Sequence, residues 1–145
     1  MRSVAYGAWQ LLINASIGVG TAASSSDWLL RTGAPADGHD RQITLFDTGG
    51  TTPNTKWLLD FPTIQALIRG QPYEYDVTYS KAYEVKDALL GIDPFDFEGD
   101  HWTGITGLSD VAFLGNDKNS RPLFSVNFRV IMERAKSSLS HRDPL

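Results

Sequence analysis

The clearest strand of the sequence lies near its end and reads Leu123-Phe124-Ser125-Val126-Asn127-Phe128-Arg129-Val130-Ile131-Met132. Large apolar residues alternate there with Ser, Asn and Arg, which is the two-residue period of a strand that buries one face. Residues 111–114 predict a shorter strand just before it, and the polar stretch 116–120 between the two predicts a turn. We expect these strands to form an antiparallel hairpin.

Further strands are predicted towards the beginning of the chain. Residues 43–46 are apolar and precede residues 47–50, Asp-Thr-Gly-Gly, which predict a strand-ending turn. Residues 61–69 alternate apolar and polar side chains, and Pro62 suits the first positions of a strand or an edge. Shorter strands are predicted at residues 28–31 and 102–108, and a loop at residues 93–100.

Two helices are predicted from apolar residues spaced three and four apart. The first spans about residues 3–17, with Ser3 as its N-cap and Gly18 as its stop. The second spans about residues 74–90. Its predicted inner stripe is Tyr75, Tyr79, Ala82, Val85 and Leu89.

Taken together, these elements predict an α+β fold: a mostly antiparallel β-sheet with two main α-helices packed on one face. One domain should span residues 1–133, and the polar residues 134–145 should form a flexible C-terminal tail. A chain of 145 residues is long enough to build its own core without disulfides or metals.

Composition excludes several classes of function. The chain has no cysteine, so disulfides, thiolate metal sites and thiol nucleophiles are absent. Its formal charge is −4, with 13 Lys and Arg scattered among 17 Asp and Glu, which argues against tight binding of nucleic acid. No apolar run is long enough to span a membrane, and no cleavable leader is evident, so we expect a soluble protein that is not exported.

One motif points to an enzyme. An Asp-Thr-Gly triplet beginning at Asp47 follows an apolar strand, as in retroviral-type aspartic proteases, where a homodimer brings two such carboxylates together. Residues 112–116 resemble the apolar-apolar-Gly element of those enzymes. However, such folds are nearly all β, whereas a helix is predicted here at residues 74–90. The alternative is that Asp47 caps backbone and the glycines supply positive φ.

The second candidate is an acidic stretch that holds five potential metal ligands in nine residues: Asp93, Asp96, Glu98, Asp100 and His101. It lacks the spacing of a calcium loop, and Phe95 and Phe97 interrupt it. The three histidines are far apart and form no zinc motif. A solvated acidic loop is therefore expected, with no metal and no cofactor.

Four elements, in order, make the chain resemble a known family. They are Ile43 to Gly50 followed by Pro53; Phe61 to Gly70; the helix with Lys81-Ala82 and Val85 to Leu89; and Phe113 to Asp117 with Arg121 to Arg129. In this order and spacing they resemble the tail terminator proteins of long-tailed bacteriophages, also called tail-completion or minor capsid proteins. The resemblance covers residues 43–133.

The resemblance implies a structural virion protein and no enzyme. Such a protein forms a ring, usually of six subunits, that caps the tail tube protein, ends tube growth and meets the head-tail connector, with a channel through which DNA passes without tight binding. It implies a place at the head-proximal end of the tail, after assembly in the host bacterial cytoplasm. A compact chain of this length is about 40 Å across, so six leave a hole of similar width.

Loops rich in glycine and exposed aromatic residues are the predicted interfaces of such a ring. The interface residues expected are Asp47, Thr48, Gly49, Gly50, Trp57, Gly115, Asn116, Asp117 and Arg121. The irregular segment 21–40 is a third candidate. Asp93, Asp96, Glu98 and Asp100 are expected at the lumen or rim, where they would repel phosphates. The third class of function left open is a small α+β binding module.

Overall fold

Two helices and seven strands follow one another in the computed structural model, which describes residues 1–145. In chain order they are α1 (Val4–Asn14), β1 (Leu29–Thr32), β2 (Gln42–Thr51), β3 (Leu59–Arg69), α2 (Tyr75–Leu89), β4 (Phe95–Phe97), β5 (Asp100–Gly107), β6 (Ala112–Asn116) and β7 (Pro122–Glu133). Neither helix has the length and apolar character that crossing a membrane requires.

All seven strands belong to one sheet, and β7 is its centre. The strand order is β1-β2-β3-β7-β5-β4, and β6 pairs with β7 on the side away from β3. Only β1 and β2 are parallel, and every other neighbouring pair is antiparallel. The hairpin predicted between the last two strands is confirmed, with Phe113 of β6 opposite Phe124 of β7.

Both helices pack on the same face of the sheet, as predicted. The apolar side chains of β7 that point to this face are each at most 1% exposed: Phe124, Val126, Phe128, Val130 and Met132. They join one cluster of 21 buried residues that includes side chains from α1 and α2. Burial of each large side chain stabilises the fold by about 1.5–3 kcal/mol. The α+β prediction is confirmed.

The helices begin where the sequence predicts. Ser3 is the N-cap of α1, because its Oγ accepts a hydrogen bond from the backbone N–H of Tyr6 at 3.2 Å. The helix ends at Asn14, before the predicted stop, and Ser16 adopts a positive φ of 58°. In α2 the prediction that Tyr75 and Tyr79 lie in the inner stripe was wrong.

The inner positions of α2 are taken by smaller side chains. Thr78, Ala82, Val85 and Leu89 are buried, whereas Tyr75 is 48% and Tyr79 43% exposed. Thr78 is accommodated because its Oγ1 donates to the carbonyl of Glu74 at 2.6 Å.

Two local predictions were wrong because strands extend beyond the apolar residues from which they were predicted. Residues 47–50 are not a turn: β2 continues to Thr51, with an irregularity in its pairing to β3 between Asp47 and Gly50. Gly49 and Gly50 do have positive φ, 89° and 139°. Residues 93–100 are not a plain loop either, since β4 and β5 form a hairpin that turns at residues 98–99.

Candidate assembly surfaces

The register of the strands defines two ends of the sheet. At the first end lie the start of β2, the end of β3 and the start of β7, with Gln42 opposite Arg69 and Arg69 opposite Leu123. At the second end Leu59 pairs with Glu133, and Glu133 also pairs with His101. The loop 117–121 therefore belongs to the first end and the segment 52–58 to the second.

The loop at the first end is held by one carboxylate. Asp117 Oδ1 accepts the backbone N–H groups of Asn119 and Arg121 at 2.9 and 3.0 Å, and Asp117 Oδ2 accepts Arg121 Nε at 2.7 Å. Partial desolvation alone would raise the pKa of Asp117, but these hydrogen bonds outweigh it and the pKa is lowered. All three hydrogen bonds lie within residues 117–121, so the loop holds its own conformation.

The same end joins two of the predicted interface segments. Arg121 Nη1 contacts Asp40 Oδ1 at 3.1 Å, so the loop 117–121 is tied to the irregular segment 21–40. Arg69 adds two further bonds, to the carbonyls of His39 and Asp40 at 2.6 and 3.1 Å. Desolvation by burial is the main reason that the pKa of Arg69 is lowered. Sequence reasoning named the two segments but not their contact.

The remaining residues predicted at this end lie around that network. Gly115 is in β6 with a φ of 104°, where the pairing to β7 is irregular, and Asn116 is exposed beside it. An irregularity of this kind bends an edge strand and interrupts its unpaired backbone.

In the middle of β2, where it lies opposite Ile64 of β3, Asp47 caps a helix that sequence analysis did not connect with it. Its Oδ1 accepts the backbone N–H of Ala5, in the first turn of α1, at 2.9 Å. A carboxylate there satisfies a free donor and faces the positive end of the helix dipole. The carboxylate thus has a structural partner. Next to it, the hydroxyls of Thr48 and Thr63 are 2.7 Å apart.

Trp57 lies at the second end of the sheet and is half-buried. Its backbone N–H donates to Asn54 Oδ1 at 2.8 Å, and Lys56 Nζ lies 4.8 Å from the centre of its ring. Trp57 forms an isolated bridge with Asp143, so residues beyond β7 lie against this segment.

A partly buried ion cluster holds that last segment, and no pattern in the sequence indicates it. Asp60 accepts Arg142 Nη1 at 2.7 Å and Arg134 Nε at 2.9 Å, and Arg142 also bonds the carbonyls of Asn54 and Trp57. That residues 134–145 form a flexible tail stays a prediction, and these contacts make it testable.

The four acidic residues expected at a lumen or rim do not share one environment. Asp93, Asp96 and Glu98 are exposed, whereas Asp100 is buried. Asp100 accepts the backbone N–H of Ala135 at 2.8 Å and pairs with Arg134 at 3.3 Å.

The exposed members are not arranged as a metal site. Asp96 Oδ1 lies 2.7 Å from His101 Nδ1. No three His, Asp or Glu side chains come together in a way that could hold a metal ion.

The fold is that of an α+β sheet domain whose loops and ion clusters gather at the two ends of one sheet. Over residues 12–134 the chain matches the family described as "Bacteriophage tail terminator protein". The chain belongs to this family.

A solved structure has a similar fold. A chain of the "Virion of native gene transfer agent (GTA) particle" superposes with a TM-score of 0.66 at 17% sequence identity, covering 91% of this chain and 99% of the other. A comparison with curated proteins gives no match.

Proposed function

We propose that this protein caps the head-proximal end of a phage tail tube as a ring of six subunits. The ring ends polymerisation of the tube protein, meets the head-tail connector and leaves a channel for DNA. The observation that carries the proposal is membership of the tail terminator family over residues 12–134. The structural neighbour is a chain of a gene transfer agent virion, which is consistent with the proposal.

The two ends of the sheet suit a ring that contacts one protein above and another below. The first end presents residues 115–121 with the attached segment 21–40, and the second presents residues 50–57. Because they lie at opposite ends of the same strands, one end can face the tube while the other faces the connector. Pre-ordered loops such as 117–121 bind with a smaller entropic cost than mobile ones.

The charge of the chain suits a conduit for DNA. At −4 per subunit, a ring repels phosphates and lets a duplex slide, whereas a basic wall would hold it by counterion release. We assign the lumen or rim to the exposed acids Asp93, Asp96 and Glu98. Asp100 is left out of that role because it is paired inside the protein.

The aspartic protease alternative is not favoured by the setting of Asp47. A catalytic dyad needs two carboxylates that share a proton, whereas Asp47 accepts a backbone N–H of α1 in its own chain. We therefore propose that the protein has no peptidase activity. An assay at acidic pH that compares wild type with Asp47→Asn should show no turnover in either.

The test of the main proposal is tube length. Purified tube protein should polymerise into long tubes alone and into shorter, capped tubes when this protein is added, as seen by electron microscopy. The end-on view of a capped tube should show six subunits. Tubes of unchanged length, with no density at their tips, would contradict the proposal.

A further inference from the structure

An exposed group of aromatic residues covers the outer side of α2 and the edge strand β6. This aromatic patch consists of Tyr73, Tyr75, Tyr79, Tyr83 and Phe113, of which Tyr73 is 87% exposed and the others 42–48%. None of these side chains was assigned a surface role by sequence analysis. The signal was nevertheless present, because tyrosines at 75, 79 and 83 follow one face of a helix.

Three of the five rings of the aromatic patch are held in place by the core beneath them. The buried ring of Phe124 lies 5.1 Å from Tyr75, 5.3 Å from Phe113 and 5.8 Å from Tyr79, measured between ring centres. Tyr75 packs edge-on against Phe113 at 5.0 Å. Rings fixed in this way lose little side-chain entropy when a partner covers them, which is a property of strong contact residues.

The size of the patch matches one side of a stable protein interface. Aromatic side chains of this kind present about 150–250 Å² each when free, so the exposed parts of the five together amount to roughly 400–660 Å². That is the upper range for the largest apolar patch on a monomer. It would form most of the core of a contact that buries about 800 Å² on each partner.

A complementary surface lies on the other flank of the helix layer. It is formed by α1 and β1 and will be called the arginine flank: Arg2, Tyr6, Trp9, Arg31 and Thr32 line one groove there. Arg2 is exposed and lies 4.3 Å above the ring of Tyr6. Arg31 is exposed too, and neither arginine forms an ion pair.

The two surfaces carry opposite charge. Asp76 and Asp87 are exposed on α2 near the aromatic patch and are free of ion pairs, and tyrosine faces themselves attract guanidinium groups. The arginine flank offers two guanidinium groups with no carboxylate partner. Because α1 and α2 lie side by side, with β1 beyond the first and β6 beyond the second, the two surfaces face away from each other.

From this arrangement we propose that the aromatic patch binds the arginine flank of a second copy of this chain. The inference rests on the ring proposed above and names the contact between its subunits. Two different surfaces on opposite flanks give a head-to-tail contact, which is the kind that closes into a ring. The two ends of the sheet then remain free for the tube and the connector.

Cross-linking tests the contact directly, since the chain has no cysteine of its own. Ser80→Cys places a thiol beside the aromatic patch, and Thr32→Cys places one in the arginine flank; both positions are exposed. A mixture of the two variants on capped tubes, treated with a short bismaleimide, should give a covalent dimer. Each variant alone should remain monomeric, and so should Ser80→Cys mixed with the control Ser138→Cys.

A substitution in the aromatic patch tests how much the patch contributes to the binding between subunits. Tyr83→Lys should raise the protein concentration needed for ring formation by at least about tenfold, because it removes an aromatic contact and places a positive charge opposite the two guanidinium groups of the arginine flank. Leu139→Lys, at an exposed position outside the patch, should leave that concentration unchanged. The thermal midpoint of both monomers should equal that of wild type, which separates loss of contact from loss of fold.

The outcomes separate this inference from the proposed function. Capped tubes without the mixed dimer, or with normal rings of Tyr83→Lys, would overturn the inference and leave the capping role intact. A dimer of Ser80→Cys with itself would show a symmetric contact and would also overturn it. If wild type neither forms rings nor shortens tubes, both proposals fall.

Discussion

Gly7 of α1 lies directly against the indole of Trp102 in β5. A β carbon added to Gly7 would stand 2.8 Å from Trp102 Cη2, closer than carbon atoms approach in proteins. Trp102 is only 2% exposed and cannot swing away. The absence of a side chain at position 7 is therefore what lets α1 reach the sheet.

Gly7→Ala should destabilise the protein by about 1–3 kcal/mol, because overpacking outweighs the gain in helix propensity of about 1 kcal/mol. Thermal unfolding followed by circular dichroism would measure it. Ser80→Ala compared with Ser80→Gly, at an exposed position of α2, is the propensity control. A variant with Gly7→Ala that is as stable as wild type would show that Trp102 can move.

Asp47 should matter for stability rather than for chemistry. Asp47→Ala leaves the N–H of Ala5, a residue only 1% exposed, without its acceptor and should cost about 1–2 kcal/mol. Asp47→Asn keeps an oxygen acceptor and should lower the stability by only about 0.3–0.5 kcal/mol. Urea unfolding of the two variants measures the difference between their free energies of unfolding. Equal losses of stability would mean that the hydrogen bond does not contribute to the stability of the fold.

Asp60 should make stability depend on pH in the acid range. Partial burial alone would raise its pKa, but hydrogen bonds from Arg142 and Arg134 outweigh this and hold the pKa below the ordinary 3.8. A carboxyl whose folded pKa is lowered stabilises the fold above 3.8, and that contribution disappears as pH falls through the folded pKa. Wild type should therefore lose more stability than Asp60→Asn on acidification, and parallel curves would contradict this.

The contacts of Arg142 should decide how residues 134–145 behave. Arg142→Ala removes its bonds to Asp60, Asn54 and Trp57, all partly exposed, and should cost about 1–2 kcal/mol. Amides of this segment should then exchange with solvent at least tenfold faster, while those of β7 stay protected. Lys136→Ala, whose pair with Asp143 is more exposed, is the matched control. Rapid exchange already in wild type would favour the flexible tail.

The loop 117–121 should loosen without unfolding the domain when its carboxylate is removed. Asp117→Ala frees the N–H groups of Asn119 and Arg121, so these two amides should exchange faster while the sheet is unchanged. Lys118→Ala, which removes no such bond, is the control. If both variants exchange alike, the loop is fixed by other contacts.

The sequence predicts this fold well wherever side chains repeat at a regular spacing. The alternation in β7 and the stripe from Ala82 to Leu89 identify the buried face correctly, because burial on one face imposes the period. The same reasoning misplaced Tyr75 and Tyr79, because the stripe of α2 that is buried against the sheet is narrower than its apolar and aromatic residues suggest.

Contacts between distant parts of the chain do not produce a regular spacing of side chains, so the sequence does not predict them. That Asp47 receives an N–H from Ala5, and Asp60 a guanidinium from Arg142, depends on the order of the strands, which composition does not encode. The extension of β2 through residues 47–50 was missed for a related reason: Gly50 and Thr51 pair with β3 beyond an irregularity, so the strand continues past the residues that favour a turn.

The position of β7 has a consequence for the timing of synthesis. It is the last strand of the domain, yet it lies between β3 and the strands β5 and β6. Until it emerges from the ribosome, the nascent chain has two open strand edges and an unfinished core. Folding is thereby postponed until translation of the domain is nearly complete, and fragments released early should aggregate rather than compete with finished subunits.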